Sequence, residues 1–227
     1  MATPVAATIE KDLAAAGFLL LGGFMPEDTD GVPALSDGAA TRALLLIGST
    51  GPSLGPVLRL SPEYSDNCPD PLDRYTRRVL GTIASRYGFQ ILFPFDGPPY
   101  HPFQRWAVRC GGFSQSPLGV LAHTEFGPWS GFRAVFLSSS PSELLTRTSR
   151  QGPCETCVDK PCLTICPVNA VSLKGDYDVA GCRTHLEKNP DADCWSGCLA
   201  RRACPFGVDH KPPADTARFH MKSFIGL

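Results

Sequence analysis

Residues 154–167 read CETCVDKPCLTICP, and residues 194–205 read CWSGCLARRACP. Each stretch ends in Cys-Pro, and Cys182 stands alone between the two. Eight of the 10 cysteines in the chain therefore lie between residues 154 and 204. Four thiolates hold one [4Fe–4S] cluster, so eight cysteines in two groups match the ligand count of two clusters. The pattern predicts a compact, ferredoxin-like domain that binds two [4Fe–4S] clusters.

The position of proline divides the eight cysteines into two sets of ligands. In the bacterial two-cluster pattern, the cysteine that precedes proline ligates the other cluster. The first predicted set is Cys154, Cys157, Cys162 and Cys204, and the second is Cys166, Cys182, Cys194 and Cys198. The spacing departs from the usual pattern at residues 158–161 (VDKP), where four residues stand in place of two. This insertion lengthens the loop and removes no ligand.

Zinc and disulfides are the alternative uses of these cysteines. Cys-x2-Cys pairs also form tetrahedral zinc sites, but zinc gives no reason for Cys-Pro at the end of both groups. A disulfide scaffold is typical of a small secreted chain, whereas this chain has 227 residues and no signal peptide. Cys68 and Cys110 lie outside the pattern, and we expect both to be buried, unreactive thiols. We interpret Arg201 and Arg202 as part of a solvent-exposed face. The alternative is that their positive charge raises the reduction potential of a cluster.

Composition excludes several classes of function. Apolar residues make up 43% of the chain, so burial can drive folding without help from metal over most of its length. The net charge is −1 and no run of Lys and Arg is present, which argues against a nucleic-acid partner. No apolar run approaches the ~20 residues of a membrane span. Reduced thiolates without an export signal predict a cytoplasmic protein.

The first 140 residues alternate between apolar strands and amphipathic helices. The predicted strands cover 18–21, 42–48, 89–95, 120–122 and 133–137, and the predicted helices cover 5–16, 70–88 and 101–109. Residues 26–40 and 49–56 read as exposed loops. The pattern indicates an α/β or α+β fold without a Rossmann or phosphate-loop motif. We place the domain boundary near Arg150, with an α/β domain at 1–150 and the two-cluster domain, including a C-terminal tail, at 151–227.

A block of motifs in this N-terminal part resembles epoxyqueuosine reductase. The block consists of Phe95-Asp96-Gly97-Pro98, a helix to Arg109, Gly111-Gly112-Phe113, the strand from Leu118 to Ala122, and Phe126-Gly127-Pro128-Trp129. That family has the same order of motifs, followed by two Cys-Pro groups with an isolated cysteine between them. Cys182 stands where the isolated cysteine would be. The resemblance covers residues 10 to 210 and is strongest at the cysteines.

The resemblance implies a fold and a cofactor. Epoxyqueuosine reductase, reductive dehalogenases and CblC-type proteins share a cobalamin-binding module, and in the first two a pair of [4Fe–4S] clusters reduces the cobalt. Residues 1–150 would accordingly form a corrinoid-reductase-like module, and residues 151–210 would supply electrons to it. The implied corrinoid contacts are Gly111, Gly112, Phe113, Leu118 and His123. A histidine that is simply hydrogen-bonded within the fold is the alternative at His123.

Asp96 matches the carboxylate that acts as proton donor beside the cobalt in that family. A carboxyl group has an unperturbed pKa near ~3.9, so it donates at neutral pH only where burial raises that value. The alternative is an aspartate that bonds the backbone amides of its own turn. Asp96 is therefore the predicted catalytic residue on the strength of the resemblance alone.

The chain also departs from epoxyqueuosine reductase. It ends soon after Cys204 without the helical repeats and basic surface used for tRNA, and residues 111–117 lack the lysine of the family's motif. We therefore predict a cobalamin-linked iron–sulfur reductase that does not act on nucleic acid. Its expected partners are a corrinoid or small-molecule substrate and an electron donor such as a flavodoxin, a ferredoxin or a flavin reductase. The alternatives are a ferredoxin-type electron carrier without corrinoid and a small-molecule reductive enzyme of the dehalogenase type.

Overall fold

A computed structural model describes residues 4–145, 151–173 and 177–227, and these residues form two compact units. The first unit comprises the described residues of Met1–Gly111 and Gly131–Ser149. The second comprises Gly112–Ser130 and the described residues of Arg150–Leu227. The predicted boundary at Arg150 lies outside the described residues. Residues 112–130, which the sequence analysis assigned to the N-terminal domain, group with the cysteine-rich part of the chain.

A four-stranded antiparallel sheet with helices forms the first unit, which is a mixed α+β arrangement. The strand order is β1-β2-β6-β3. The strands are β1 Leu19–Phe24, β2 Ala43–Ser49, β3 Gln90–Leu92 and β6 Gly131–Ser138. The helices are α1 Pro4–Ala15, α2 Gly51–Arg59, α3 Pro62–Ser65, α4 Pro71–Arg86 and α5 Phe103–Cys110. The core lies around β2, all of whose residues are buried because an uninterrupted apolar run fills this central strand.

Helix α2 contradicts the prediction of an exposed loop at 49–56. The hydroxyl of Thr50 accepts a hydrogen bond from the Ser53 amide, and the Ser53 hydroxyl in turn accepts one from the Thr50 amide. This reciprocal N-cap satisfies amides that the first turn of a helix leaves without partners. Leu54 and Leu58 are buried on the inner face of the helix. Proline at the second position suits a helix start, so Pro52 signalled a helix where we expected a loop.

The 89–95 prediction is too long, because the strand covers only Gln90–Leu92. Beyond it, the rings of Phe93 and Phe95 stack on each other with centroids 5.1 Å apart, and both lie beneath the guanidinium of Arg77. Helix α4 begins where predicted, but Asp70 at its N-cap has a φ of 52° and its side chain makes no capping bond. Burial of the apolar face of α4 therefore stabilises this helix where capping does not.

The described residues of the second unit form a short hairpin, three helices and several 3-10 turns. The hairpin pairs β4 Phe113–Gln115 with β5 Leu121–His123, and the helices are α6 Val179–Lys188, α7 Leu199–Arg202 and α8 Ala214–Ile225. No strand occurs within the described residues of 151–227. Helix α8 lies in what the sequence analysis treated as a tail, and it packs on a cluster formed by Leu186, Cys194 and Trp195. None of the described helices has the length and apolar character needed to cross a lipid bilayer.

Candidate metal centres in the second unit

Two cavities in the second unit are lined by the eight clustered cysteines. The first cavity is lined by one predicted set of four thiols, namely Cys154, Cys157, Cys162 and Cys204. The second is lined by the other set, namely Cys166, Cys182, Cys194 and Cys198. Their empty volumes are similar, about 380 and 350 Å³. The structure therefore brings together the same sets of four that the Cys-Pro rule predicts.

The eight thiols line the two cavities, four to each. All ten cysteines are free thiols. Within 4–145, 151–173 and 177–227, no group of three or more His, Cys, Asp or Glu side chains could hold a metal ion. Tetrahedral zinc with Zn–S bonds of ~2.3 Å would need its four sulfurs close together. A [4Fe–4S] cluster attaches each thiolate to a different iron, so its four ligands surround a larger group.

Backbone and side-chain hydrogen bonds fix the loops that carry the cysteines. The Ser114 hydroxyl on β4 accepts a hydrogen bond from the Cys154 amide at 3.0 Å and donates one to the Glu155 carboxylate. The Ala170 amide donates to the sulfur of Cys166 at 3.3 Å. Hydrogen bonds to cluster sulfurs are one means by which proteins tune iron–sulfur centres. The hairpin segment is thus directly bonded to the loop of the first cavity.

Burial makes an isolated thiolate unfavourable at these positions. It raises the pKa of Cys154 to about 11, with the neighbouring Cys204 adding to the shift and Lys160 opposing it. Burial also raises the pKa of Cys182, while a hydrogen bond with Tyr177 lowers it. Metal binds the thiolate form of cysteine. Binding must therefore release the thiol protons, which burial helps these cysteines to keep.

Leu118 belongs to a buried apolar cluster that contacts cysteines of both sets. Leu118 itself lines the first cavity, and Cys162 of the first set and Cys166 and Cys198 of the second pack against the cluster. Val171 and Ala200 complete this buried apolar cluster. Leu118 lines the first cysteine cavity, and the corrinoid contact implied for it by the resemblance stays a prediction.

The Phe126-Gly127-Pro128-Trp129 motif packs on the chain that follows the last cysteine. A Cβ atom added to Gly127 would lie 2.1 Å from the carbonyl oxygen of Phe206, which lines the first cavity. Only glycine allows this approach, because any Cβ atom would clash with that oxygen. The φ of 54° at Gly127 is a second reason for glycine. Arg201 donates hydrogen bonds from Nε, at 2.7 Å, and from Nη2 to the Pro128 carbonyl oxygen, and its guanidinium lies over the Trp129 ring. The motif thus belongs to the wall of the cysteine-rich unit.

His123 is held as a structural histidine. Its Nδ1 accepts hydrogen bonds from the amides of Glu125 and Phe126, at 3.2 and 3.3 Å. Burial lowers its pKa to about 4, and the charge of His210 adds to this shift. The ring also packs against Phe113 at a centroid distance of 4.7 Å. These contacts match the structural alternative for His123.

The glycines beside Phe113 lie at the end of α5. Gly112 has a φ of 76°, and a Cβ atom there would lie 3.1 Å from Nε2 of His123. Gly111 caps α5 and falls in the first unit, whereas Gly112 and Phe113 fall in the second. Glycine is favoured at 112 because the positive φ would strain another residue and because a Cβ atom there would have to shift the His123 ring slightly.

Asp96 lies in the first unit in an ion pair with Arg77. Its carboxylate accepts a hydrogen bond from Nη2 of Arg77, and 43% of the Asp96 side chain is exposed. The Asp96 amide is bonded to the carbonyl oxygen of Phe93, at 3.3 Å. The carboxylate therefore has a cationic partner, and the turn is closed by the backbone rather than by the aspartate side chain.

Four buried polar atoms have no hydrogen-bond partner among the described residues: Nε1 of Trp129, Oγ of Ser130 and Nη1 of Arg202 in the second unit, and Oγ1 of Thr76 in the first. Of these, Nη1 of Arg202 lies 3.0 Å from the carboxylate of Asp193. The sequence analysis named Trp129 and Arg202 but gave Ser130 and Thr76 no role. Buried donors are satisfied in the great majority of cases, so such an atom calls for a ligand, water or strain as its explanation. Trp129 and Ser130 are adjacent in the chain and directly follow Pro128, to which Arg201 is bonded.

Three further residues at the cavities were missed by sequence reasoning. Lys160 lines the first cavity, and Tyr177 and Met221 line the second. Met221 lies on α8, whose apolar residues gave a signal of helical spacing that we read as a tail. Lys160 lies among the four residues between Cys157 and Cys162, where the usual pattern has two, and this lengthening was noted only as a change of loop length.

The fold and the site together define a mixed α+β protein with two units, one of which surrounds two cavities with four cysteines each. No family model matches this sequence, and no curated protein matches it. Among solved structures, the chain is similar to the Caenorhabditis elegans B12-trafficking protein CblC, a homologue of human MMACHC. The two chains share 14% identity with a TM-score of 0.52, and the match covers 94% of each. At this identity the likeness shows a common fold.

Proposed function

We propose that this protein is an iron–sulfur oxidoreductase that binds a corrinoid and delivers electrons to it. One [4Fe–4S] cluster would occupy each cavity, with the first and second cysteine sets as ligands. The observation that carries the proposal is the division of eight cysteines into two sets of four around separate cavities of similar size. A set of four thiols fits the cubane, which takes four cysteines. The described residues of 151–227 would then act as a two-cluster domain in the manner of a ferredoxin.

When bound, the clusters would supply single electrons at low potential. The residues of the second unit would hold them and limit the access of water. Leu118, Val171 and Ala200 form a buried apolar wall that contacts both cysteine sets. The Ala170 amide would stabilise negative charge on the Cys166 sulfur. Electron transfer needs no acid or base. An electron carrier therefore needs only the buried apolar wall and the cysteine ligands.

The corrinoid part of the proposal is supported by the CblC-like fold and by the unpartnered donors. The relative with the same fold is a B12-trafficking protein. Corrinoids carry amide side chains around the ring, and their carbonyl oxygens would accept hydrogen bonds from the Trp129 indole and the Ser130 hydroxyl. Asp96 would serve as proton donor only for a separate organic substrate, and its carboxylate must then leave Arg77. The electron donor would be a flavodoxin, a ferredoxin or a flavin reductase.

The test is anaerobic reconstitution of the full chain followed by titration with hydroxocobalamin. We expect about eight iron and eight sulfide per chain by the four-cysteine rule. The visible spectrum of cobalamin should shift on binding, and the bands of reduced cobalt should appear only when the clusters are reduced. Reversibly reducible clusters beside an unchanged cobalamin spectrum would instead identify an electron carrier.

Cysteine variants distinguish bound [4Fe–4S] clusters from zinc or from adventitiously bound metal. Cys162→Ser and Cys194→Ser each remove a ligand from one cavity, so each should lower the iron content by about half. Cys68→Ser is the matched control, because Cys68 is exposed and lies outside both cavities. Zinc at stoichiometric amounts without acid-labile sulfide would overturn the cluster assignment.

A further inference from the structure

Helices α6 and α8 border the second cavity and carry exposed basic side chains. His185 of α6 and Met221 of α8 line this cavity beside the second cysteine set. The exposed Lys and Arg residues of the two helices are Arg183, Lys188, Arg218 and Lys222. These four residues are called the basic face below.

Contacts within the second unit hold the two helices together beside the second cysteine set. The guanidinium of Arg183 on α6 donates a hydrogen bond to the carbonyl oxygen of Ile225 at the end of α8, at 3.0 Å. Cys182 of α6 and Ile225 of α8 both pack against the buried cluster that contains Trp195. The guanidinium of Arg218 lies 5.7 Å from the centroid of the Trp195 ring. The basic face is therefore fixed to the helices that border the second cavity.

Basic residues outnumber acidic residues on these helices. The acidic residues of α6, its N-cap and α8 are Asp178, Glu187 and Asp215. Asp178 and Asp215 lie at helix N-termini, where a carboxylate interacts favourably with the helix dipole. In the part of the chain that the structure describes, no residue of the basic face forms an ion pair with Asp or Glu. The basic face is therefore a positively charged surface.

The exposed residues near the first cavity have the opposite charge balance. The loop that carries its first ligands has Glu155 and Asp159 as exposed acidic residues. Lys160 of the same loop donates from Nζ to two backbone carbonyl oxygens of the loop. The segment after the last ligand of this set carries one exposed acid, Asp209, and one exposed lysine, Lys211. The two cavities thus differ in the charge that a docking protein would meet.

Opposite charges steer two proteins together and orient them as they meet. Electron carriers bind their partners through small, transient interfaces, and a 12-residue helix such as α8 spans ~18 Å, which is long enough for such a contact. An electron passes efficiently only between centres that are close together. A carrier must therefore dock beside the cluster that it reduces.

Building on the proposed function, we infer that the basic face of α6 and α8 is the docking surface for a negatively charged electron-carrier protein, and that this carrier reduces the second cluster. The carrier loses one electron, the second cluster gains it, and the first cluster is then reduced by the second. The inference gives the electron donor of the proposed function a binding site and a sign of charge.

The experiment follows reduction of the reconstituted full chain by a reduced flavodoxin of net negative charge in a stopped-flow spectrometer. The double variant Lys188→Glu/Lys222→Glu reverses two charges of the basic face. It should lower the second-order rate constant by about tenfold or more at low ionic strength. The difference from wild type should shrink at high salt, which screens exposed charges. Lys188→Gln/Lys222→Gln removes the same charges without reversing them and should give an intermediate rate constant.

Two controls separate docking from damage to the clusters. Photoreduced deazariboflavin is a small reductant without net charge, so it should reduce wild type and the charge variants at equal rates. Asp159→Lys is the matched charge change beside the first cavity, because Asp159 is exposed and lies in the first ligand loop. It should change the flavodoxin rate far less than the variants of the basic face do.

Cys194→Ser tests which cluster receives the electron, because it removes a ligand from the second cavity. The cluster that remains should be reduced slowly by flavodoxin and at the normal rate by deazariboflavin. A wild-type flavodoxin rate in Cys194→Ser, or a faster rate in Asp159→Lys beside an unchanged rate in Lys188→Glu/Lys222→Glu, would overturn the inference. Both results leave the proposed function standing as long as the iron content is full. A reconstituted chain without iron and sulfide would overturn both.

Discussion

The carboxylate of Asp96 is bound by the guanidinium of Arg77, and that guanidinium lies 4.7 Å from the ring centroid of Phe93. About half of the Arg77 side chain is exposed, as is 43% of that of Asp96. Ion pairs of this exposure contribute ~0–1 kcal/mol to stability because water screens them and ordering two side chains costs entropy. The pair is therefore a means of orienting Asp96 rather than a source of stability.

Asp96→Asn should accordingly lower the free energy of unfolding by less than ~1 kcal/mol. If Asp96 is a proton donor, the same change should lower turnover of an organic substrate by ~100-fold or more while cobalt reduction is retained. Urea denaturation and single-turnover spectra measure the two effects separately. Arg77→Gln is the control, because it removes the ion pair and leaves the acid. Equal turnover by wild type and Asp96→Asn would exclude the catalytic role.

Trp129→Phe should be better tolerated than Trp195→Phe. The indole N–H of Trp129 has no partner among the described residues, whereas that of Trp195 donates to the carbonyl oxygen of Asn189 at 3.0 Å. Both changes reduce ring volume, so the difference between them reports the hydrogen bond, worth ~1 kcal/mol. Denaturant unfolding of the two variants, both loaded with clusters, measures this difference. A larger loss for Trp129→Phe would mean that its indole has a partner in the folded protein.

Protonation of His123 should destabilise the protein below neutral pH. The folded-state pKa is lowered to about 4, whereas an unfolded histidine has a pKa of ~6.5. Between these values the unfolded chain binds more protons, so stability falls as the pH decreases from ~6.5 towards 4, by on the order of 2–3 kcal/mol.

His123→Asn retains an acceptor for the amides of Glu125 and Phe126 and does not titrate. The variant should therefore lose less stability than wild type between pH 7 and pH 5. Thermal unfolding under anaerobic conditions across this range compares the two proteins. Parallel pH profiles would show that another group is responsible.

Gly127→Ala should disturb the first cysteine cavity. The added Cβ atom would meet the backbone oxygen of Phe206 at 2.1 Å, two residues after Cys204, and it would also strain a φ of 54°. We expect the iron content to fall, chiefly at the cluster held by Cys204. Gly38→Ala is the control, since Gly38 has a φ of 85° but an added Cβ atom there would meet nothing within 4 Å. The free energy of unfolding of Gly38→Ala should fall by only ~1 kcal/mol, because of backbone strain.

Sequence periodicity predicted the elements that are most deeply buried. Strand β2 and helix α4 were found because a continuous apolar run and a regular apolar face leave few alternatives. Helix α2 was missed because proline and glycine at 51–56 read as a loop, although Thr50 and Ser53 together form a cap. Cys110 is buried as expected, and burial raises its pKa to about 12, whereas Cys68 is exposed because it lies in the loop before α4.

At the cavities, the grouping of the cysteines followed from their spacing, and the surrounding residues did not. The Cys-Pro rule predicts two sets of four thiols, and each set lines its own cavity. The contacts of Leu118 with the cysteine-rich segment could not be predicted, because they join segments far apart in sequence. The contacts of Lys160 with Cys154 and Cys157 are local and depend on the left-handed backbone at Lys160. A left-handed lysine in an insertion is a signal that could have been used once the backbone was known.

The second unit is assembled from two stretches of chain, and β6 of the first unit follows the hairpin segment 112–130. A gene fragment encoding residues 151–227 would carry all eight cysteines, yet it would lack Leu118 from the wall and Gly127 from beneath Phe206. Neither unit is therefore an exchangeable module that recombination could move by a single cut. The two units of the protein must therefore be inherited, and varied, together.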